Sequence, residues 1–377
     1  MDPERLKESF AQVAAHGDEV ALFFYSHLFL NHPELRDMFP VSMAVQRDRL
    51  LSALGRIVAE AADTERLVPF LQGLGRDHRK FGTIAAHYPA VGDTLLSTLA
   101  YFSGDAWTPD LAQEWTQAYE LIAEVMSNAA GEAEQDQQPA WWDAVVIGHE
   151  RRTMDITVLK VAPNRALPFV PGQSVAVECR MRPRLWRYYS PANAPREDGT
   201  IDFHIRLIDG GAVSPALARL AEVGTRLRLG SPVGTLTLDT TSPRDVLLAA
   251  GGTGLAPLKA IAAHAATLPD PPRVHLVFGA RRAADLYDLA AIEKLAARWP
   301  WLTVTAVTSH DSWFEGEQGS VADAAARFLL RDPRMITHYD AYVCGSPDMA
   351  AATAGRLEQA GLPRERVFTE DFGGSGE

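Results

Sequence analysis

The first third of the chain carries apolar residues at helical spacing and shows no alternation of the kind that strands require. Four groups of apolar side chains recur three or four positions apart, as expected for helices that bury one face. These groups are Phe23, Phe24, Leu28 and Phe29; Leu50, Leu54 and Ile57; Leu95, Leu96, Leu99 and Phe102; and Tyr119, Ile122, Ala123 and Met126. The pattern predicts an all-α domain over residues 1–133, followed by a polar linker.

Between residues 140 and 240 the pattern changes to short apolar runs separated by turns that contain proline and glycine. Residues 201–207 alternate apolar and polar side chains, which is typical of a half-buried strand. Three further runs cover residues 144–147, 156–159 and 174–177. Closely spaced strands of this kind predict a small antiparallel β-barrel.

From residue 241 to residue 377 strand-like and helix-like segments alternate. Buried strands are predicted at 246–250, 274–278, 302–307 and 341–344, and helices at 258–266 and 289–298. This alternation is typical of an α/β domain with a doubly wound parallel sheet. The fold class is therefore multidomain: an all-α domain, an antiparallel β-barrel and an α/β domain.

Length and composition agree with this division, because 377 residues are too many for one ordinary core. The net charge of −12 argues against nucleic acid or an anionic membrane as a partner. No run approaches the roughly 20 apolar residues of a membrane span. The two cysteines cannot form a disulfide framework, and the charged N-terminus does not resemble a signal peptide. We expect a cytoplasmic protein that acts as a monomer.

A glycine-rich turn follows the first strand of the predicted α/β domain. Gly251, Gly252, Thr253 and Gly254 lie between that strand and a helix. Glycines there allow a pyrophosphate to approach the backbone, and the helix N-terminus attracts its charge. The spacing differs from the usual G-x-G-x-x-G, so by itself a plain tight turn explains it equally well.

Two more loops follow strands of the same predicted sheet, at the carboxyl edge where such sheets bind ligands. Cys344 and Gly345 end one strand, and Arg281 and Arg282 follow another. An arginine at this edge can bind a 2′-phosphate, whereas two solvated surface arginines would have no such role. The choice between NADH and NADPH therefore stays open.

An aromatic segment in the barrel region carries groups that suit a flavin. A flavin needs a flat partner for its ring, a donor near N5 and a cation for its diphosphate. Tyr189, Ser190 and Arg187 supply these in turn. A strand of surface aromatic residues is the alternative interpretation.

The order of these motifs over residues 140–377 resembles the ferredoxin-reductase superfamily of FAD- and NAD(P)H-binding modules. The resemblance implies that FAD and the dinucleotide are bound by five motifs. These are R-x-Y-S at Arg187, Tyr189 and Ser190; G-x-x-S at Gly211 and Ser214; G-G-T-G-x-A-P from Gly251 to Pro257; C-G-x-P from Cys344 to Pro347; and E-x-F-G with Glu370 and Phe372.

The helical domain contains a candidate iron ligand. His78 follows Gln46 by 32 residues, a separation that suits two helices on either side of a flat ring. A haem iron needs a neutral imidazole on one side and a guarded pocket on the other. A lone histidine on a helix is more often structural, so the spacing alone does not decide.

The sequence from Phe24 to Phe39 resembles flavohaemoglobins. In that family a tyrosine and a glutamine hydrogen-bond the bound gas, a phenylalanine wedges the haem, and a tyrosine supports the proximal histidine. The resemblance assigns these roles to Tyr25, Gln46, Phe39 and Tyr88, and the iron to His78. Leu50, one turn beyond the glutamine, is expected to roof the pocket.

Two positions depart from the family. A lysine normally precedes the proximal histidine, and Asp77 stands there. A glutamate late in the last globin helix normally completes a His–Tyr–Glu network, and Ala130 occupies that position. Glu132 replaces it only if the helix end shifts. A weaker proximal network would leave the iron less electron-rich.

The resemblance implies an NAD(P)H-dependent oxidoreductase of the nitric oxide dioxygenase type. NAD(P)H would reduce FAD, FAD would pass electrons singly to haem b, and the haem would use O₂ to oxidise nitric oxide to nitrate. One alternative keeps this path but uses a peroxide, a quinone or an external haem protein as the acceptor. The others are a non-catalytic gas-binding redox sensor and a plain reductase without haem.

Overall fold

The computed structural model of the chain describes residues 2–332 and 334–371, apart from the side chains of Val45 and Asp371. It divides into two compact units, the first mainly residues up to 141 and the second mainly residues from 142 onward. We call them the helical unit and the reductase unit. In the described residues no helix is long and apolar enough to cross a membrane.

The helical unit confirms the predicted all-α domain. Its helices are α1 (Pro3–Ala14), α2 (Asp18–Asn31), α3 (Ala44–Ala59), α4 (Thr64–His78), α5 (Tyr88–Ser103) and α6 (Pro109–Gln135). Side-chain caps explain several starts. Asp2 accepts the N–H of Glu4, and Thr108 accepts the N–H of Leu111. Such caps satisfy amide groups that have no partner inside the helix.

Two glycines allow the helices around the candidate iron ligand to pack closely. A Cβ on Gly75 of α4 would lie 2.2 Å from the carbonyl oxygen of Met126 on α6. A Cβ on Gly92 of α5 would lie 2.4 Å from the ring of Tyr119, also on α6. Helix α6 therefore fixes the positions of both α4, which ends at His78, and α5.

The reductase unit begins with the predicted antiparallel barrel, which is confirmed. Its strands run in the order β4-β3-β6-β1-β2-β5, and a bridge between Pro191 and Phe203 nearly closes the ring. The strands are β1 (Trp142–Arg151), β2 (Ile156–Pro163), β3 (Ser174–Cys179), β4 (Arg187–Tyr189), β5 (Ile201–Arg206) and β6 (Arg226–Val233).

The second half of this unit is a parallel sheet in the order β10-β9-β8-β7-β11-β12. Its strands are β7 (Asp245–Gly251), β8 (Val274–Ala280), β9 (Leu302–Thr308), β10 (Glu317–Gln318), β11 (Tyr339–Gly345) and β12 (Val367–Asp371). The helices are α7 (Leu255–Ala265), α8 (Leu289–Arg298), α9 (Val321–Leu330), α10 (Met335–His338) and α11 (Pro347–Gln359).

Alternate residues of the central strand face opposite layers of this sheet. Leu248 belongs to the hydrophobic cluster that contains residues of α7 and α8, whereas Leu247 belongs to the cluster that contains residues of α9 and α11. Helices therefore cover both faces, and the predicted doubly wound sheet is confirmed.

A buried histidine makes the stability of the reductase unit depend on pH. His275 on β8 lies against the hydroxyls of Thr303 and Thr305, and its ring stacks on Phe328 at 3.7 Å. Burial, helped by nearby Arg331, lowers the pKa of His275 from 6.5 to about 4. The folded state therefore keeps this imidazole neutral at pH values where the unfolded chain binds a proton.

We expect His275 to reduce the free energy of unfolding as pH falls from 6.5 towards 4. The unfolded state then binds more protons, and the slope is about 1.4 kcal/mol per pH unit for one group. Urea unfolding of the whole protein between pH 7.5 and 5 measures it. The variant His275→Gln has no titrating ring and should lose this component of the slope. An identical slope in the variant would mean that His275 protonates in the folded state.

Candidate functional site

The glycine-rich turn and the cysteine loop meet at the carboxyl edge of the parallel sheet. Strand β7 ends at Gly251, its neighbour β11 ends at Gly345, and β8 lies on the other side of β7. A Cβ on Gly254 would lie 2.1 Å from the carbonyl oxygen of Cys344, so only glycine fits there. The strand order reverses between β7 and β11, which is where doubly wound sheets bind ligands.

Gly252 leaves space between the turn and the guanidinium of Arg206. Its φ is +53°, a left-handed conformation that favours glycine, and a Cβ there would have Arg206 Nη1 as its neighbour at 3.9 Å. Thr253 completes the turn and lies between Gly252 and Gly254. Arg206 ends strand β5 of the barrel and also pairs with Asp155 at 3.2 Å. An open turn with a guanidinium beside it fits a diphosphate.

Sequence reasoning gave Arg206 no role, although its position at the polar end of an alternating strand was visible. Arg281 and Arg282, which had a possible role, follow β8 at the same sheet edge with exposed side chains.

The R-x-Y-S segment forms β4 and the residue after it. Strand β4 pairs antiparallel with β3, with Tyr189 opposite Val175 and Arg187 opposite Val177. Arg187 is 5% exposed and donates to the carbonyl of Trp186, which holds a buried guanidinium inside the barrel wall. A buried cation at this place fits the diphosphate of a flavin nucleotide.

A chain of hydroxyls connects Ser190 to Glu370. The hydroxyl oxygens of Ser190 and Ser174 are 3.0 Å apart, and Ser174 donates to Glu370 Oε1 at 3.0 Å. Because a hydroxyl carries one proton, Ser190 donates to Ser174. Glu370 on β12 is paired with Cys344 on β11 in the register of the sheet. Three sequence motifs therefore converge at one place, and Phe372 lies outside the described residues.

The G-x-x-S motif forms a loop between β5 and the helical turn Ala216–Leu220. Gly211 donates its N–H to the carbonyl of Ile208, and the hydroxyl of Ser214 accepts the N–H of the same residue at 3.1 Å. Ser214 is buried. These bonds fix the loop conformation that the resemblance assigns to the FAD diphosphate.

His78 has the tautomer and environment that an iron ligand needs. It is the last residue of α4, and its Nδ1 bonds the carbonyl of Leu74 at 2.8 Å. A carbonyl only accepts, so the proton is on Nδ1 and the lone pair is on Nε2. Burial lowers the pKa of His78, which favours the neutral imidazole. Both properties fit haem iron.

Aromatic side chains surround the predicted distal tyrosine. The ring of Tyr25 lies 5.5 Å from that of Phe39 and 5.8 Å from that of Phe29. Its hydroxyl donates to the backbone carbonyl of Gln46 at 3.3 Å, and burial raises its pKa well above the usual value. The hydroxyl is therefore a neutral donor at any ordinary pH.

The described core of the helical unit contains separate hydrophobic clusters on the two predicted sides of the haem. Tyr25, Phe39 and Leu50 belong to one of them, and Leu74 and Tyr88 belong to another. Two apolar groups of this kind fit a flat apolar macrocycle between them.

Tyr88 has a different neighbour from the one that the family pattern suggests. It opens α5, and the Ser127 side chain on α6 lies close enough to its hydroxyl to lower the pKa of that hydroxyl, against burial, which raises it. Ser127 lies about one turn before Ala130, and Glu132 is exposed. The family's glutamate therefore has no substitute at Glu132, and a neutral hydroxyl faces Tyr88 instead.

Asp77 forms a buried ion pair with a lysine on the other side of His78. Lys80 Nζ lies 2.5 Å from Asp77 Oδ1, and the two side chains are 1% and 6% exposed respectively. Burial lowers the pKa of Lys80. Asp77 thus stands where the family has a lysine, and it pairs with Lys80 on the far side of His78. The three-residue spacing of Asp77 and Lys80 already indicated that their side chains could meet.

Three known protein families match successive parts of the chain. Residues 22–126 match the globin family, residues 144–238 the oxidoreductase FAD-binding domain and residues 248–355 the oxidoreductase NAD-binding domain. The last two also resemble the reductase component of a naphthalene 1,2-dioxygenase system from Pseudomonas putida. That match is 32% identical over 60% of this chain and 67% of the relative. The class is therefore a globin joined to an FAD- and NAD-binding reductase.

The whole chain matches proteins with this arrangement. A flavohemoprotein from Bacillus subtilis is 26% identical over 98% of this chain and 96% of its own length. The crystal structure of a flavohemoglobin from Malassezia yamatoensis with bound FAD and heme has a TM-score of 0.80 at 21% identity, covering 98% of each chain. The chain belongs to the flavohaemoglobin family, and its cofactors are haem, FAD and a nicotinamide dinucleotide.

Proposed function

We propose that this protein is a nitric oxide dioxygenase that takes electrons from NAD(P)H. The observation that carries the proposal is the pair of environments in the helical unit: a neutral imidazole with its Nε2 lone pair available, and a buried neutral hydroxyl at Tyr25. FAD supplies conversion of a hydride into single electrons, and haem supplies a reducible iron that binds O₂.

The residues of the helical unit have distinct tasks in this proposal. His78 holds the iron through Nε2, and Leu74 fixes its ring by accepting from Nδ1. Tyr25 turns its hydroxyl proton from the Gln46 backbone carbonyl to the bound gas, which the Gln46 side chain also contacts. Phe39 and Leu50 exclude water around this donor. Tyr88, with Ser127 as its neighbour, orders the proximal side.

The residues of the reductase unit bind and orient FAD and the nicotinamide dinucleotide. Arg187 and the Gly211–Ser214 loop hold the FAD diphosphate, and the ring of Tyr189 covers the flavin. Gly251 to Gly254 hold the dinucleotide diphosphate. Ser190, Ser174 and Glu370 form a hydrogen-bonded path along which a proton can move at the flavin. Cys344 and Gly345 position the nicotinamide.

Aerobic nitric oxide consumption tests the proposal. The purified holoprotein with NADH or NADPH should consume nitric oxide, O₂ and NAD(P)H, and should release nitrate rather than nitrite. Reduction of FAD without nitric oxide consumption would reject the dioxygenase. Activity with a quinone or a peroxide in place of nitric oxide would then point to a different acceptor.

Tyr25→Phe is expected to increase the rate at which O₂ dissociates from the reduced protein. The variant keeps the ring that packs on Phe29 and Phe39 but deletes the donor. Loss of one hydrogen bond to a partly charged acceptor corresponds to an O₂ dissociation rate that is about 10- to 100-fold higher. Stopped-flow displacement of O₂ by carbon monoxide measures the rate. An unchanged rate would remove Tyr25 from the gas site.

A further inference from the structure

A buried hydrogen bond joins the barrel to the parallel sheet next to the cysteine loop. His204 on β5 and Tyr287, just before α8, are 4% and 9% exposed. His204 Nδ1 lies 2.7 Å from the Tyr287 hydroxyl, and the two rings meet edge to face at 5.3 Å. The two residues are 83 positions apart, so the bond depends on the folded arrangement of the reductase unit.

Both partners are uncharged. Burial, with a contribution from Lys259, lowers the pKa of His204 to about 3, and burial raises that of Tyr287 well above 10. Asp202 and Arg152 also act on the imidazole, with opposite signs. A neutral bond in a desolvated place is sensitive to loss of either partner, because the remaining polar group cannot turn to water.

Tyr287 also lies close to Cys344, which positions the nicotinamide in the proposed function. Its ring meets that of Phe278 edge to face at 5.9 Å, and the Cys344 thiol is near enough to its hydroxyl to raise its pKa further. Tyr287, Phe278 and Cys344 belong to one hydrophobic cluster, which also includes Ile156 of the barrel. The hydroxyl therefore lies between a barrel strand and the end of β11.

Charged residues strengthen the same joint. Asp288, whose side chain is fully buried, pairs with Lys259 of α7 at 2.5 Å. Arg152, which follows β1 of the barrel, lies 3.8 Å from the other carboxylate oxygen. The segment Tyr287–Asp288 thus contacts the barrel at two points, and α7, which begins directly after the glycine-rich turn, at a third.

We propose that His204 and Tyr287 are a positioning pair that sets the distance between the nicotinamide, held at Cys344 and Gly345, and the flavin, held by the barrel. Hydride transfer needs the reacting atoms about 3–3.5 Å apart, and a shift of about 1 Å can cost about 100-fold in rate. The pair touches neither ring in this proposal. The inference rests on the proposed reduction of FAD by NAD(P)H.

The test compares Tyr287→Phe with the wild type in anaerobic stopped-flow reduction of the bound flavin. We expect a rate at saturating NAD(P)H that is about 10- to 100-fold lower. The long-wavelength charge-transfer absorbance of the reduced flavin with NAD⁺ should weaken. FAD content and the Kd for ADP-ribose, which lacks the nicotinamide, should stay unchanged, and the Tm should fall only by the amount that one unpaired buried group costs.

Three further variants separate positioning from folding. His204→Asn keeps a hydrogen-bonding group near the place of Nδ1 and should recover most of the rate that His204→Phe loses. Tyr342→Phe removes another buried tyrosine hydroxyl of the reductase unit, which accepts the N–H of Asp239, and should leave the charge-transfer band intact.

The outcomes are distinct. Wild-type rate and absorbance in Tyr287→Phe would overturn the pair as a positioning device. So would equal rate losses in His204→Asn and His204→Phe accompanied by loss of bound FAD, which would show a structural role only. Failure of NADH and NADPH to reduce the wild-type flavin would instead reject the proposed function before any variant is compared.

Discussion

His78→Ala is expected to yield a protein that retains FAD and is reduced by NAD(P)H, but contains almost no haem. The imidazole is the proposed iron ligand, and its orientation depends on the 2.8 Å bond from Nδ1 to the Leu74 carbonyl. Alanine removes both the ligand and this bond. Changes around a ligand already cost about 10- to 100-fold in metal affinity, so loss of the ligand should exceed that.

The absorption spectrum of the purified variant measures the effect as the ratio of Soret to flavin absorbance. His16→Ala, which removes an exposed histidine of the same unit, is the matched control and should keep the wild-type ratio. Added imidazole should restore part of the haem in His78→Ala by occupying the place of the side chain. A wild-type Soret band in His78→Ala without imidazole would assign the iron to another residue.

The architecture was readable from the sequence because each domain has its own hydrophobic period. Helical spacing in the first third, close alternation around 201–207 and the strand–helix alternation after 241 each require one kind of core. The glycine motif was also readable, since Gly252 needs a left-handed φ and Gly254 meets the Cys344 carbonyl. Local backbone requirements of this kind leave a direct mark on residue identity.

Hydrogen-bond partners on distant strands and loops could not be predicted from the sequence in this way. Ser174 opens β3, and only the pairing of β3 with β4 brings its hydroxyl to Ser190. His204 looked like one polar position of an alternating strand, and its partner lies 83 residues away. Periodicity tells which side chains face inward but does not tell which strand or loop they will meet.

The neighbour of Tyr88 shows the same limit within a helix. The family pattern pointed to Ala130, whereas Ser127 lies at the Tyr88 hydroxyl. Each residue along a helix turns the side chain by about 100° around the axis. Two residues that are three positions apart therefore lie on nearly the same face of the helix, but about one turn apart along its axis. The height is set by the approach of α4 and α5 to α6, through Gly75 and Gly92.

Asp77→Asn is expected to destabilise the helical unit by about 3–5 kcal/mol. The substitution leaves the Lys80 ammonium buried without the carboxylate 2.5 Å away that compensates its desolvation. Lys80→Met should cost a similar amount, because it leaves the Asp77 carboxylate in the same place. Removing one partner of a buried pair is costly because the other charge cannot reach water.

A double-mutant cycle separates the pair from the general effect of changing buried residues. Asp77→Leu combined with Lys80→Met should recover most of the lost free energy of unfolding, because no buried charge remains. Urea unfolding with helical circular dichroism gives the free energies of the wild type, Asp77→Leu, Lys80→Met and the double variant, and the Soret band gives the haem content of each. Additive losses in the double variant would show that the two charges do not depend on each other. A stable double variant that keeps haem would show that the ion pair stabilises the end of α4 but is not needed to hold His78. The departure from the family's lysine would then be compatible with an intact haem site.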